Sequence, residues 1–269
     1  FTTTNNCNSK SMRNLFLALL GGMLSVPALA DVVGIEAEVH ATSENGTTYR
    51  VYVNFDAVDD ELIAIYGTVG EAQNAPLSVL TTTTFYQEPT ASVNYAQDLN
   101  PAFFGFFPNL AYDSWFTIGS EDNSGTGGLS AVGMEPYLDG FNTANGFTVD
   151  TFTGASWFVI PGVSADAIAG DDNRVLVAQL TTDGIITVVL NAQYDDASGN
   201  TSTAIGLTAT FPELAAGCTD ATACNYDGDA EADDGSCFFP GDACDDGDSL
   251  TINDVYNADC ACTGEAVVE

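Results

Sequence analysis

Apolar and polar positions alternate along most of the stretch from Asp31 to Pro212, the two-residue period of half-buried β-strands. In "TTYRVYVNF" the residues Val51, Val53 and Phe55 fall on one face. "VVGIEAEVHA" alternates just before it, and between the two lies Asn45-Gly46, a pair that favours a type I′ hairpin turn. "RVLVAQLTT" and "IITVVLNAQY" are joined through Asp183-Gly184, the same device again. "ELIAIYG", "LSVLTTTTFYQ", "YDSWFTIG", "FTVDTF", "ASWFVIP" and "TAIGLTATF" complete a set of about ten short strands separated by turn residues. No convincing helical period occurs after residue 30. The pattern predicts an all-β fold, an antiparallel β-sandwich of jelly-roll or Ig-like type over residues 31–212.

"DSWFTIG" (113–119) and "ASWFVIPG" (155–162) share Ser-Trp-Phe-x-Ile and hold both tryptophans, Trp115 and Trp157. In extended conformation Ser114, Phe116 and Ile118 face away from Trp115 and Thr117, which makes the two segments candidates for neighbouring strands. Two long loops interrupt the pattern: 96–113, with four phenylalanines around Gly105, and the Gly- and Asn-rich 119–146. At "FPELAAG" the alternation stops, so 213–217 reads as a linker, 218–264 as a separate Cys/Asp-rich module and 265–269 as a further linker.

The first thirty residues change the picture of composition. Residues 12–30, "MRNLFLALLGGMLSVPALA", have a basic start at Arg13, an apolar run from Leu15 to Val26 and the small-x-small site Ala28-Leu29-Ala30, the three parts of a secretory signal. The run is too short, and too interrupted by Gly21-Gly22 and Pro27, to span a bilayer. Residues 1–11 precede Met12 and read as translated upstream sequence; at the other end, "EAVVE" with no sorting domain reads as a truncation. Without the leader all 38 acids of the chain remain against Arg50 and Arg174 alone. Such a surface repels nucleic acid and anionic membranes and favours cations. Hydrophobic residues at 45% still suffice for a core, so the charge describes the surface. The expected location is outside the cell or on its surface.

Catalytic inventory is thin. One histidine, His40, sits in the first alternating strand, and there is no G-x-S-x-G, H-E-x-x-H or P-loop pattern. Carboxylate-pair chemistry of the glycosidase kind stays open through Asp56, Asp59, Asp60 and Glu61 in "FDAVDDEL" and through Asp171-Asp172, although adjacent acids in turns are commonly solvated. Trp115 and Trp157, with Tyr112, Phe103, Phe104, Phe106 and Phe107, offer a platform for sugar rings or apolar ligands; the same residues also suit a sandwich core.

The module carries the most specific signals. Cys218, Cys224, Cys237, Cys244, Cys260 and Cys262, all the cysteines but Cys7 of the leader, lie within it, an even set in an exported chain and hence a disulfide framework. Their spacing lacks paired C-x-x-C knuckles, which argues against zinc. Asn225-x-Asp227-x-Asp229 places oxygens as the start of a calcium loop does, but Ala230 and Ser236 stand where an EF-hand needs Gly and Glu. Asp233 and Asp234, then Asp242, Asp245, Asp246 and Asp248, with Asn253 and Asp254, add further hard ligands, so Ca²⁺ binding stands beside a solvated acidic surface as the two readings of this segment.

"GCTDATACNYDGDAEADDGSC" and "PGDACDDGDSLTINDVYNADCACTG" resemble two short modules recurring in secreted surface proteins of marine Bacteroidetes, and more loosely the calcium repeats of thrombospondin type 3. The resemblance covers 217–264 and implies an exported, modular cell-surface or matrix protein. Cys218 and Cys237 bracket the acidic loop and are candidates to pair, while Cys260 and Cys262, too close for each other, reach back toward Cys244 and Cys224; other connectivities stay open. The expected function is a non-catalytic adhesive or binding β-domain on an acidic, disulfide- and Ca²⁺-stiffened spacer, with a matrix, polysaccharide or cell-surface partner. A carbohydrate-binding module of a larger secreted enzyme and a carboxylate-dependent glycosidase are the alternatives.

Overall fold

The computed structural model describes residues 32–70 and 75–267; the expected upstream stretch and signal sequence lie outside them. Period-two alternation becomes strands β1 (Val32–Ser43), β2 (Gly46–Phe55), β3 (Glu61–Gly67) and β4 (Leu77–Thr81). After a loop layer follow β5 (Trp115–Phe116), β6 (Ser130–Val132), α1 (Glu135–Thr143), β7 (Gly146–Val149) and β8 (Ala155–Phe158). The domain ends with β9 (Arg174–Thr182), β10 (Ile186–Asp195) and β11 (Thr201–Phe211). A four-stranded antiparallel sheet in the order β1-β2-β9-β5 faces a seven-stranded one, β6-β8-β3-β10-β4-β7 with β11 added on β10. Their inner faces supply one apolar cluster that includes Val51, Val53, Phe55, Ile65, Val79, Phe116, Trp157, Val177 and Leu190. The fold is thus all-β and sandwich-like, followed by a disulfide-rich segment. Among the described residues no helix is long and apolar enough to cross a membrane.

Three local expectations are corrected. The first hairpin turns on Glu44-Asn45, with Ser43 paired to Gly46. Asn45 is not among the residues with positive φ, so the turn is not type I′. Gly46 serves a different end: its φ is 111°, and a Cβ there would meet the Thr182 carbonyl carbon at 2.6 Å. Asp183-Gly184 makes no hairpin at all, because β9 and β10 belong to opposite sheets and the chain changes layer there. Threonines hold that corner: Thr182 Oγ1 meets the hydroxyls of Thr81 and Thr83 and donates to Thr84 O. Finally, "EPYLDGFNT" is helical, a span without an apolar period because only Phe141 of the helix is buried, with Pro136 in its first turn.

The Trp-containing echoes are not neighbours either. β5 and β8 lie in opposite sheets and meet through the core, where the Phe116 and Trp157 rings are 4.9 Å apart and Trp157 Nε1 donates to Thr117 O at 3.1 Å. One copy turns its Phe inward and the other its Trp. Trp115 instead faces outward into a second small core with Ala96, Leu99, Leu110 and Leu176. That core lies under loop 96–113, which consists of 3₁₀ turns at Ala96–Asp98, Pro101–Gly105 and Pro108–Tyr112.

Three buried polar groups, Asn191, Asp113 and Asp60, sit at joints of the β-domain. β10 gives one edge to β11, while its other edge is divided between β4 (from Ile186 to Val189) and β3 (from Asn191 to Asp195). Asn191, fully buried, fills the break. Its Nδ2 donates to Tyr66 O at 2.9 Å and Ala75 O at 2.7 Å, and its Oδ1 accepts from Gly206 N in the bulge of β11. Asp113, also fully buried, accepts from Glu88 N and Val93 N. Burial, opposed by those bonds, raises its pKa to about 7. Asp60 at the entry to β3 is 1% exposed, and burial, helped by the charges of Asp56 and Asp196, raises it to about 6.

Replacing Asn191 with Leu should cost about 2–4 kcal/mol in denaturant unfolding, because three part-buried backbone groups lose the buried side chain that joins them; a loss under about 1 kcal/mol would show that they find other partners. For Asp60 the folded pKa is raised above the unfolded value of 3.8. Its favourable contribution is therefore complete below pH 3.8 and disappears as pH climbs through about 6. Asp60→Asn should accordingly stabilise the protein at pH 8 by about 3 kcal/mol and leave it nearly unchanged near pH 3. Equal effects at both pH values would contradict this assignment.

Candidate functional site

The segment after β11 has no core of its own: from residue 219 to 267 no side chain is buried. It forms two small ladders, β12 (Ala216–Gly217) with β13 (Ala232–Asp233), and β14 (Thr251–Tyr256) with β15 (Cys262–Ala266). Three disulfides hold it together, Cys218–Cys237, Cys224–Cys260 and Cys244–Cys262. Their Cα separations of 4.9, 5.3 and 6.0 Å lie within the normal range for the bond. The stacked rings of Phe238 and Tyr256, 4.2 Å apart, are its main aromatic contact.

The acids make its turns. A side-chain oxygen accepts from the backbone N–H two residues on at Asp220, Asp227, Asp233, Asp234, Asp245, Asp246 and Asp248, and at Asn257, with distances of 2.8–3.1 Å. These are Asx-turns, which need the short Asp or Asn side chain and supply the hydrogen bonds that a helix or sheet would otherwise provide. The bonds also favour the ionised form. Donors from Thr222, Ser236 and Asp248 hold Asp220, Asp234 and Asp246 below the ordinary carboxylate value.

Of the oxygen ligands expected from sequence, the structure brings few to one point. Asn225 is committed to the backbone: its Nδ2 donates to Ser236 O and its Oδ1 accepts from Phe238 N. Asp242 accepts from Phe239 N. Among the described residues the carboxylates that converge are Asp245, Asp246 and Asp254, whose ligand atoms lie within 4.8 Å of one another. Asp227, Asp229, Asp233, Asp234 and Asp248 do not join them.

Asp254 reaches that point through a bulge. Ile252 pairs with Glu265 and Val255 with Thr263, so Asn253 and Asp254 oppose Gly264 alone. Asn253 takes φ of 57° to allow it. Gly264 gives the carboxylate room, since a Cβ there would collide with Asp254 Oδ1. Asp254 Oδ2 accepts from Asp246 N at 3.2 Å, while Asp254 Oδ1 is shielded from solvent with no donor. Asp246 accepts from Thr251 Oγ1 and Gly264 N, and the Cys244–Cys262 bond ties its turn to β15. Three carboxylates with one unpartnered oxygen suit a hard divalent cation such as Ca²⁺, and no Lys or Arg lies anywhere in the segment.

Elsewhere, the aromatic platform is corrected: Trp115 and Trp157 are each 1% exposed and offer no ring face to solvent. The size of the rings explains it, because the inter-sheet core takes Trp157 and the small outer core takes Trp115 as large apolar filling. Phe103 and Phe106 remain exposed on loop 96–113. Of the acids of "FDAVDDEL", Asp60 is buried and Asp59 and Glu61 reach a cleft. Asp59 and Glu61, with Asp195 and Asp196, line a cleft of about 380 Å³. Glu61 holds Gly162 N there, and Asp196 caps its own turn through Ser198 N and Asn200 N. Those two act as structural acceptors.

Asp254 had less signal than its neighbours, since its role depends on a bulge opposite a glycine. The Asx-turns were legible in principle from the Asp-x-Gly, Asp-x-Ser and Asp-x-Thr spacing. No family model, no curated protein and no solved structure matches the chain, so the likeness of 217–264 to secreted modules stands on its own residues.

Proposed function

We propose that the chain is an extracellular, non-catalytic binding protein. Its β-sandwich presents loops to a matrix, polysaccharide or cell-surface partner, and residues 218–266 form a stiff spacer that takes Ca²⁺ at Asp245, Asp246 and Asp254. The observation that carries this reading is the segment without a buried core, held by three disulfides. Such a segment needs an oxidising compartment, because reduction would remove most of what orders it. The use of Glu61 and Asp196 as backbone acceptors favours binding over turnover.

Calcium would act through charge. Asp245, Asp246 and Asp254 repel one another, and a divalent cation replaces that repulsion with attraction while cross-linking the Asp245 turn to the β14 bulge. The remaining ligands of the usual six to eight would come from backbone carbonyls and water.

Calorimetry of the oxidised full chain tests this. Ca²⁺ at one hundred times its Kd should stabilise the C-terminal transition by about 2.7 kcal/mol relative to EDTA. Asp254→Asn should abolish the difference without altering the melt in EDTA. Identical melts with and without Ca²⁺ would leave the acids as turn-formers only.

A further inference from the structure

The C-terminal segment is built as two halves, each closed by a disulfide of its own. Cys218–Cys237 closes residues 217–238, where Cys224 N donates to Phe238 O and Asn225 ties the same end through Ser236 and Phe238. Cys244–Cys262 closes residues 241–266, which hold the β14–β15 ladder and all three carboxylates of the cation site. Phe239 and Pro240 connect the halves in a turn where Phe239 N donates to Asp242 Oδ2 and Phe239 O accepts from Asp242 N. Among the described residues no other hydrogen bond crosses from one half to the other. What does cross is the Phe238–Tyr256 ring stack and a single covalent bond, Cys224–Cys260.

That bond differs from its neighbours in three ways. Cys260 is exposed, in the connection between β14 and β15, whereas Cys218 is buried and Cys237, Cys244 and Cys262 are half-buried. The φ of Cys260 is 61°, in the left-handed region that is costly for a residue with a Cβ. The turn made by Asn257 holds it there: Cys260 N donates to Asn257 O, and Asn257 Oδ1 accepts from Asp259 N and Ala261 N. Carboxylates crowd the other two bonds, since Asp233 Oδ1 lies 3.7 Å from Cys237 Sγ and Asp245 and Asp246 directly follow Cys244. The species that attacks a disulfide is a thiolate, an anion, and these acids oppose its approach. In sequence only Asp259 adjoins Cys260 as an acid. Exposure and strain mark a disulfide that exchanges; shielding marks one that lasts.

We propose that Cys224–Cys260 is a thiol-sensitive latch on the joint between the two halves, opened by a low-molecular-weight thiol while the other two disulfides stay closed. The thiolate attacks Cys260 Sγ, the bond to Cys224 breaks, and its electron pair leaves on Cys224 Sγ. A second thiolate attacks the mixed disulfide, which releases the small disulfide and leaves Cys260 as a thiolate. Two external thiols are thereby oxidised to one disulfide, one protein disulfide is reduced, and the protons of the two thiols end on the cysteines. The halves then meet through one ring stack, and the segment bends at Phe239-Pro240. Asp245, Asp246 and Asp254 lie together in one half and keep their places. The proposal rests on the reading of residues 218–266 as a spacer and adds a control on its stiffness; Ca²⁺ and the partner of the β-domain are independent of it.

Brief treatment of the oxidised full chain with 2-mercaptoethanol, quenched with N-ethylmaleimide and mapped by mass spectrometry, reads the order of opening. Cys224 and Cys260 should be labelled together, about tenfold faster than the other four cysteines of the segment. The double variant Cys224→Ser, Cys260→Ser tests the consequence without reductant. Its ¹⁵N relaxation should show residues 238–242 mobile on the nanosecond scale while the amides of β14 and β15 keep their protection from exchange. Earlier or equal labelling of Cys218, Cys237, Cys244 or Cys262 would overturn the proposal. So would a double variant that loses the β14–β15 ladder, or one whose joint stays as rigid as in the unaltered chain. Free thiols at all of these cysteines in the untreated protein would overturn the spacer reading itself.

Discussion

An almost complete lack of cations governs this molecule. Against the 38 acids of the chain stand, beyond its first thirty residues, only Arg50 and Arg174, so most carboxylates are satisfied by backbone N–H groups, side-chain hydroxyls or water. Beneath the loop layer Asp113 gathers Glu88 N and Val93 N, and Glu88 in turn accepts from Thr90 N and Ala91 N. Between loops Asp166 accepts from Ser120 Oγ and Thr126 N. In the C-terminal segment Asx-turns repeat the same solution at short range. The acids are thus connectors as well as surface charge, which is why the chain tolerates so many of them.

The two arginines are placed where the acids can find them. Arg174 on β9 bonds Glu38 at 2.6 Å and lies over the Tyr52 ring at 4.1 Å. Arg50 on β2 bonds Glu121. Both stand on the outer face of the smaller sheet, where Glu36, Glu38 and Glu121 meet them. Exposed pairs of this kind add little stability; their effect is on which ligands may approach.

Fold class was legible because it depends on period. β3 and β9 coincide with the alternating runs at 61–67 and 174–182, and β10 and β11 differ from theirs by a few residues at the ends. What alternation does not carry is which strand meets which. Asp183-Gly184 looks like a hairpin, yet it joins two sheets, and only the threonine corner at Thr81, Thr83 and Thr182 explains the change of layer. Trp115 and Trp157 read as a platform because local sequence cannot show that one core lies between the sheets and another outside them. In the C-terminal segment the cysteines and acids were visible as a class, but the convergence of Asp254 with Asp245 and Asp246 needed the bulge across from Gly264.

The disulfide arrangement has a mechanical meaning. Tension entering at Gly217 can pass from Cys218 to Cys237, along the short run to Cys244, and over to Cys262 without loading the chain between those bonded pairs. Cys224–Cys260 closes a further loop that this path bypasses. Pulled from its two ends, the segment can therefore lengthen only along the run between Cys237 and Cys244, its Asx-turns within the bonded loops sheltered from the force, while the sandwich bears the load through hydrogen bonds alone.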